Sequence, residues 1–391
     1  MPNFQTKVLC EPCYPAVFRE TLFEFSAVAE NGEKLIKVAM QGESFFIKVV
    51  QKKDKYLIKG DKITRPSQAG LLQRALVDFR DMTQSKEIFS NIEPKKSLHV
   101  KSYDQLKSID YFAKDFVIDK EIWVEIGFGS GRHLLHQAKK NPDKLFIGLE
   151  IHKPSIEQVL NLCAIHGIDN VLVVDYDARL FLEFLSSNSV GRIFVHFPVP
   201  WDKKPHRRVI SKEFIEESIR VLKLDGRVEL RTDSDTYFEY SFGEFTKLNK
   251  MNLNVRKNAN LEITSKYEDR WRKMDKDIYD IVFINEEVSP EKEKIKKLFF
   301  DKGCDFSKIK AHFDNQAIRG DGFFVHFEEL YDINENSGFI KLSFGASERS
   351  ERAYVFISGE KMSYFPDNIL ASNGNSKADN LIKEWIDGIC S

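Results

Sequence analysis

Two patterns of apolar residues alternate through the middle of the chain. Ile122–Ile126, Leu145–Leu149 and Val171–Val174 are short, almost wholly apolar blocks, and residues 192–197, 227–231 and 278–284 are further strand-length runs in which apolar and polar residues mix. Between them apolar residues recur three and four apart, over 132–140, over 212–222, and at Ile156, Val159, Leu160, Cys163 and Ala164. Blocks of strand length suit strands buried on both faces, and the three-four spacing places one apolar stripe on a helix. Pro154 in the first turn and Gly167 after the last mark the ends of one such helix. This strand-helix-strand order predicts a doubly wound parallel sheet, which binds ligands beyond the carboxyl ends of its strands.

The flanks are patterned differently. Residues 18–63 hold short alternating runs, such as 45–50 and 55–59, punctuated by Asn31-Gly32, Gly42 and Gly60-Asp61, which predict a small antiparallel sheet. Leu71, Leu72, Ala75, Leu76 and Phe79 share one face of a helix over 71–79, and a charged connection follows over about 96–120. Beyond the central region, the Lys- and Glu-rich 290–300 predicts a helix, 323–327, 339–344 and 354–357 predict aromatic-rich strands, and 378–389 a closing helix. The expected fold class is therefore α/β. A doubly wound, Rossmann-like sheet over 115–287 is flanked by an N-terminal β-rich unit over 1–95 and a C-terminal α+β extension over 288–391.

At 391 residues the chain is too long for one ordinary core, which agrees with several units. It is 42% hydrophobic and 30% charged, a globular rather than a disordered composition. The net charge of −1 provides no global field for nucleic acid, so any such site has to be a local basic patch. Cys10, Cys13, Cys163, Cys304 and Cys390 are scattered and odd in number, which suits a reducing compartment better than a disulfide framework. Cys10 and Cys13 have C-x-x-C spacing, but no second pair completes a zinc site, and no metal is expected. Residues 1–7 are polar, and no apolar run approaches the ~18 residues of a membrane span, so a cytoplasmic protein without a membrane partner is expected.

The first block runs into Gly127, Gly129 and Gly131 and then into a helical pattern. A dinucleotide fingerprint needs G-x-G-x-x-G/A, but here the spacing is G-x-G-x-G and Arg132 stands at the last position of that fingerprint. Glu125 lies two residues before the first glycine. This resembles the first motif of class I S-adenosylmethionine-dependent methyltransferases, in which a carboxylate helps to hold a cationic amino-acid end and bare backbone admits a flat ligand. Glu150 ends the second block, nineteen residues after Gly131, where a carboxylate can accept from two ribose hydroxyls. Asp177-Ala178 follows the third block and can reach an adenine amino group; Asp175 competes for that role. After the fourth block, Pro198, Pro200 and Trp201 fix an irregular loop, and Lys203, Lys204, Arg207 and Arg208 make a compact basic patch suited to phosphates. Thr232 and Asp233 end the fifth block. Ser265, Lys266, Tyr267 and Glu268 place a hydroxyl, a cation, an aromatic face and a carboxylate on one loop, and a carboxylate is the natural partner for guanine N1–H and its exocyclic amine.

Taken in order, these motifs resemble those of the bacterial tRNA (guanine-N7)-methyltransferase family: Glu125 to Gly131, Gly148 to His152, Asp177-Ala178, Phe197 to Lys203, Thr232-Asp233, Ser265 to Glu268, and Tyr279-Asp280. The match covers about 115–285. It implies that Glu125, Gly127, Gly129, Gly131, Glu150 and Asp177 hold S-adenosylmethionine. It also implies that Lys203, Asp233 and Ser265 to Glu268 hold the guanosine, and that the product is 7-methylguanosine at guanosine 46 of the tRNA variable loop. Trp201, Lys204, Arg207 and Arg208 are expected beside the RNA, and no DNA partner is expected. Two positions depart from the family pattern: its Pro-Asp-Pro-Trp is Pro198-Val199-Pro200-Trp201 here, and its Thr is Ser265.

Guanine N7 carries a lone pair and no proton, so no general base is needed; positioning and electrostatics around the developing cation are the sources of rate. Asp233 and Glu268 are the expected catalytic residues, with Asp202 nearby. Val199 removes a carboxylate, which lowers stabilisation without abolishing the chemistry. Two other readings stand beside this one: a protein that binds tRNA and S-adenosylmethionine but transfers poorly because of Val199, and a methyltransferase for another substrate.

Overall fold

The computed structural model describes residues 2–66, 69–92, 103–114, 116–176, 178–264, 266–292, 297–347, 350–359, 361–367 and 369–390. Two units emerge, one of residues 101–296 and one that joins residues 1–100 to 297–391.

In the contiguous unit the strands are β1 (Leu106–Lys107), β2 (Ile122–Ile126), β3 (Leu145–Leu149), β4 (Val171–Val174), β5 (Val190–His196), β6 (Leu222–Thr232), β7 (Leu253–Lys257) and β8 (Tyr279–Ile284). Their order is β7-β8-β6-β5-β2-β3-β4-β1. Strands β1 to β6 are parallel, β8 runs antiparallel to β6, and β7 at the edge runs antiparallel to β8. Every residue of β2 and β3 is buried, as an uninterrupted apolar block requires. Helices Arg132–Lys140 and Lys153–His166 cover one face, where Leu134, Ala138, Val159, Leu160 and Cys163 meet Trp123, Phe146 and Phe194. From β2 the chain proceeds outward to β3 and β4, and from β5 outward to β6 on the other side. The order therefore reverses between β2 and β5, and the crevice at their carboxyl ends is where such a sheet takes its ligand.

In the discontinuous unit, strands from both ends of the chain form one 12-stranded sheet. Thr21–Ala29 pairs with Phe323–Asn334 through Ala29↔Tyr331 and Val28↔Asp332. Helix Ala69–Met82 covers Phe4, Ile47 and Ile58. Ala27, Leu35 and Phe46 pack against Tyr331, Phe339 and Tyr354, and helix Asn373–Cys390 closes over Val325, Leu342 and Val355. The segments expected as separate pieces over 1–95 and 288–391 thus share a sheet and a core.

Two expectations give way. Residues 288–292 and 297–300 carry no helix, and 293–296 lie outside the described residues. The reason is local: Asn188 Nδ2 donates to the Ser289 carbonyl, Asn188 Oδ1 accepts from Ser289 N–H, and Ser187 Oγ donates to the Pro290 carbonyl, which holds that backbone extended. Cys304 and Cys390 form a disulfide although their positions are 86 residues apart; folding brings their Cα atoms to 5.7 Å, within bridging range. Cys10 and Cys13 are exposed free thiols, and Cys163 is buried.

Candidate active site

The carboxyl ends of β2, β3, β5 and β6 bring the expected residues to one edge. At β2, Gly127, Gly129 and Gly131 all take left-handed φ, at 68°, 52° and 71°. A side chain at Gly127 would project into open space, so the backbone there is bare toward the crevice. At Gly131, which caps helix Arg132–Lys140, a Cβ would collide with Val159.

Glu150 braces this loop. Its Oε2 accepts from Gly129 N–H at 3.0 Å, and its Oε1 accepts from the N–H groups of Ile151 and His152 at 2.8 and 3.0 Å. Glu125 lies below. It is buried, and its Oε2 accepts from His133 Nδ1 at 2.7 Å. Burial disfavours charge on His133, but the Glu125 carboxylate outweighs it and raises that pKa above its usual value. The His196 ring stands 4.6 Å from the His133 ring. Burial first, then the neighbouring His133 and Arg231, push the His196 pKa well below its usual value.

The loop after β5 is tightly wound. Phe197 and Trp201 hold left-handed φ of 51° and 46°, which costs bulky residues on the order of 1–3 kcal/mol each. Two features hold it. Phe197 N–H donates to the Arg231 carbonyl at 2.7 Å. Arg208, only 5% exposed, donates from Nε to the Pro200 carbonyl at 2.8 Å and lays its guanidinium 4.4 Å from the centre of the Tyr240 ring. Arg208 was expected in the phosphate patch; its guanidinium is instead the internal pin of the loop, because Tyr237 and Tyr240 stack beneath it. Lys203, Lys204 and Arg207 are exposed, and the Arg207 guanidinium lies 5.1 Å from the Trp201 ring. Val199 is 61% exposed at the loop's tip.

At the end of β6, Arg231 is fully enclosed. Its Nε and Nη2 donate to the two Glu268 oxygens at 3.1 and 2.7 Å, its Nη1 donates to Asp280 Oδ1, and Nη2 also reaches the Ala259 carbonyl at 2.9 Å. Glu268 Oε1 takes a further bond from Arg272 Nε at 2.8 Å. Glu268 was expected at the guanine and as a catalytic group. With 1% of its side chain exposed and both oxygens engaged, it is the anchor of helix Lys266–Arg272. That helix and the segment before it are tied to the glycine loop's own helix: Arg132 Nη1 donates to Asp269 Oδ2 at 2.6 Å and to the Thr264 carbonyl at 3.1 Å, and Lys140 pairs with Glu262. Asp233 stays partly open, its Oδ2 accepting from Lys276 Nζ at 2.8 Å.

A family model described as "Putative methyltransferase" matches residues 119–281. A tRNA (guanine-N(7)-)-methyltransferase of Wolinella succinogenes is 41% identical over 396 residues, covering 99% of this chain and 100% of that relative. The chain belongs to the tRNA (guanine-N(7)-)-methyltransferase family. A relative of the same name from Campylobacter jejuni is 40% identical over 98% of each chain, and one from Helicobacter acinonychis is 34% identical over 98% of each. The likeness to these tRNA (guanine-N(7)-)-methyltransferases runs through both units, so the flanking segments belong to these members as well.

For this family the sequence singled out more residues than the structure places. The glycines, Glu150, Asp233, Trp201, Lys203, Lys204 and Arg207 sit at the strand ends or in the loop after β5. Asp177 and Ser265 lie outside the described residues, as do the side chains of Lys266 and Tyr267, while Asp175 is exposed just past β4. Arg231, Arg132 and His133 were given no role. The signal for Arg231 was present: a cation closing an apolar block, with acids at Glu268 and Asp280 inside two motifs of the family.

Proposed function

We propose that the protein transfers the methyl group of S-adenosylmethionine to N7 of a tRNA guanosine, guanosine 46 of the variable loop, in the cytoplasm. The observation that carries this reading is 41% identity over essentially the whole length of a protein of that name. Among the described residues no helix is long and apolar enough to cross a membrane.

S-adenosylmethionine supplies an electrophilic methyl group. The chain fits it: bare backbone at Gly127 admits a flat body, and the half-buried Glu150 presents a carboxylate where ribose hydroxyls can compete for its oxygens. We assign Glu125 a supporting role, because its Oε2 is bonded to His133. Since N7 needs no base, the protein's work is to orient the ring and offset its growing positive charge. We assign the direct contact to Asp233, the partly open carboxylate at the end of β6, and we assign Glu268 a positioning role through Arg231. Lys203, Lys204 and Arg207 grip phosphates, and Arg208 keeps their loop wound. A paired N7 lies in a deep groove, so a loop target suits this site.

The test is labelled methyl transfer to unmodified bulk tRNA, with chemical cleavage at 7-methylguanosine. Cleavage in the variable loop is the expected result. Tight binding of tRNA and S-adenosylmethionine without transfer would sink it in favour of a poor transferase, and Val199→Asp would then restore turnover. Asp233→Ala should lower kcat/KM about 100-fold.

A further inference from the structure

The discontinuous unit carries a lysine-rich sheet face that the methyl-transfer site does not use. Residues 48–65 hold Lys48, Lys52, Lys53, Lys55, Lys59, Lys62 and Arg65 against only Asp54 and Asp61, in a chain whose net charge is −1. Asp61 is buried and accepts from Ile63 and Thr64 N–H, so it forms no direct surface pair with these cations.

The register explains how the cations gather. Strands Glu43–Lys52 and Lys55–Gly60 pair antiparallel with Lys48 opposite Lys59 and Lys52 opposite Lys55. Directly opposed residues point to the same side, and positions four apart on a strand share a face, so these four lysines stand together. Between the two lysine pairs lie Val50 and Leu57, and the next strand adds Asn3 beside Lys59 and Gln5 beside Leu57. The opposite face is apolar: Ile47, Val49 and Ile58 are buried in the core under helix Ala69–Met82. The cations stand about 5 Å apart across strands and about 13 Å apart along them, within the span of a few nucleotides of backbone.

Like charges directly opposite each other on a sheet destabilise it. Lys48 is relieved by Glu33 at 2.7 Å. Among the described residues Lys52, Lys55, Lys59 and Lys62 make no ion pair. Burial and then the cations Lys48, Lys52 and Lys62 press the Lys59 pKa down, with Glu33 opposing.

We propose that this face, centred on Lys52, Lys55 and Lys59, is a second tRNA-docking surface that binds the phosphate backbone without reading sequence. It rests on the tRNA substrate proposed above. A polyanion relieves the Lys52–Lys55 pair and offsets Lys59 at once, and the small apolar rung between them admits a ribose edge.

The experiment compares the full-length protein with Lys52→Gln/Lys55→Gln/Lys59→Gln and with a control, Lys302→Gln/Lys377→Gln, exposed lysines elsewhere in the same unit. Neutral replacements remove repulsion and leave the fold intact, checked by circular dichroism. The triple variant should bind unmodified tRNA at least ~10-fold more weakly at low salt. Its slope of log affinity against log salt should be shallower by roughly 2–3. The KM for tRNA should rise while kcat at saturating tRNA and the affinity for S-adenosylmethionine stay unchanged. An unchanged slope and KM, an equal effect in the control, or lost binding to phosphatidylserine vesicles with tRNA binding intact would each overturn the proposal. No tRNA binding or transfer by the unaltered protein would instead overturn the function on which it rests.

Discussion

Gly131 combines a φ of 71° with a Val159 methyl standing where its Cβ would go. Gly131→Ala is expected to cost about 2–4 kcal/mol in urea unfolding, and Val159→Ala in that background to return the packing share but not the backbone share. A fully additive pair would show that the collision is relieved some other way. The two histidines below the loop titrate in opposite senses. His133 binds its proton more tightly when folded, so its stabilisation is full below the ordinary 6.5 and fades as pH rises through its raised folded pKa. His196 is depressed, so the stability tied to its neutral ring is present above 6.5 and lost as pH falls toward its folded pKa. Imidazole NMR should show His196 neutral at pH 6 while His133 is charged. In His133→Gln the His196 pKa should rise, because a neighbouring charge has gone; an unmoved His196 would mean that burial and Arg231 set it without His133.

The strands and helices around the site depend on one buried cation. Removing Arg231 takes from the enclosed Glu268 and Asp280 the cation that they share, and Arg231→Ala should cost about 3–5 kcal/mol in urea unfolding. Glu268→Gln should lose stability and activity together. Asp233→Ala, at the end of the same strand, should lose activity with stability nearly unchanged, since its Lys276 pair is partly exposed. The reverse pattern would return Glu268 to the guanine. Much of this architecture was legible beforehand. Strands buried on both faces write themselves as unbroken apolar blocks, and β2, β3 and β4 match theirs end to end. Strand β7 escaped notice because it is a polar edge, with Asn254, Arg256 and Lys257 exposed. The partners of Glu268 and Arg208 are not legible in the sequence for a different reason. A motif reports that a charged residue is present, whereas direction is fixed by tertiary partners, here Arg231, 37 residues from Glu268, and Tyr240, 32 residues from Arg208.

On the scale of the whole molecule, the sheet that unites the first and last segments was not legible. Alternation with period two is a local signal and carries no record of which strand will lie alongside. Tyr331 Oη donates to Glu33 at 2.6 Å across a separation of 298 residues. Ala27, Leu35 and Phe46 share a core with Tyr331, Phe339 and Tyr354 of the last segment. A chain stopped at residue 296 should therefore show fast amide hydrogen exchange over 21–49. Protection equal to that of the full chain would mean that the first segment closes its own core.

This split core also has a bearing on how the protein is made. On the ribosome the first hundred residues emerge while the strands that complete them are still unwritten message. The intervening methyltransferase unit, residues 101–296, takes roughly 10–40 s to synthesise at ordinary elongation rates. Through that interval the end of strand Thr21–Ala29, at Val28 and Ala29, waits without its neighbour. The nascent chain should be a client of ribosome-associated chaperones over that window, and slowing translation within codons 101–296 should lower the yield of soluble protein.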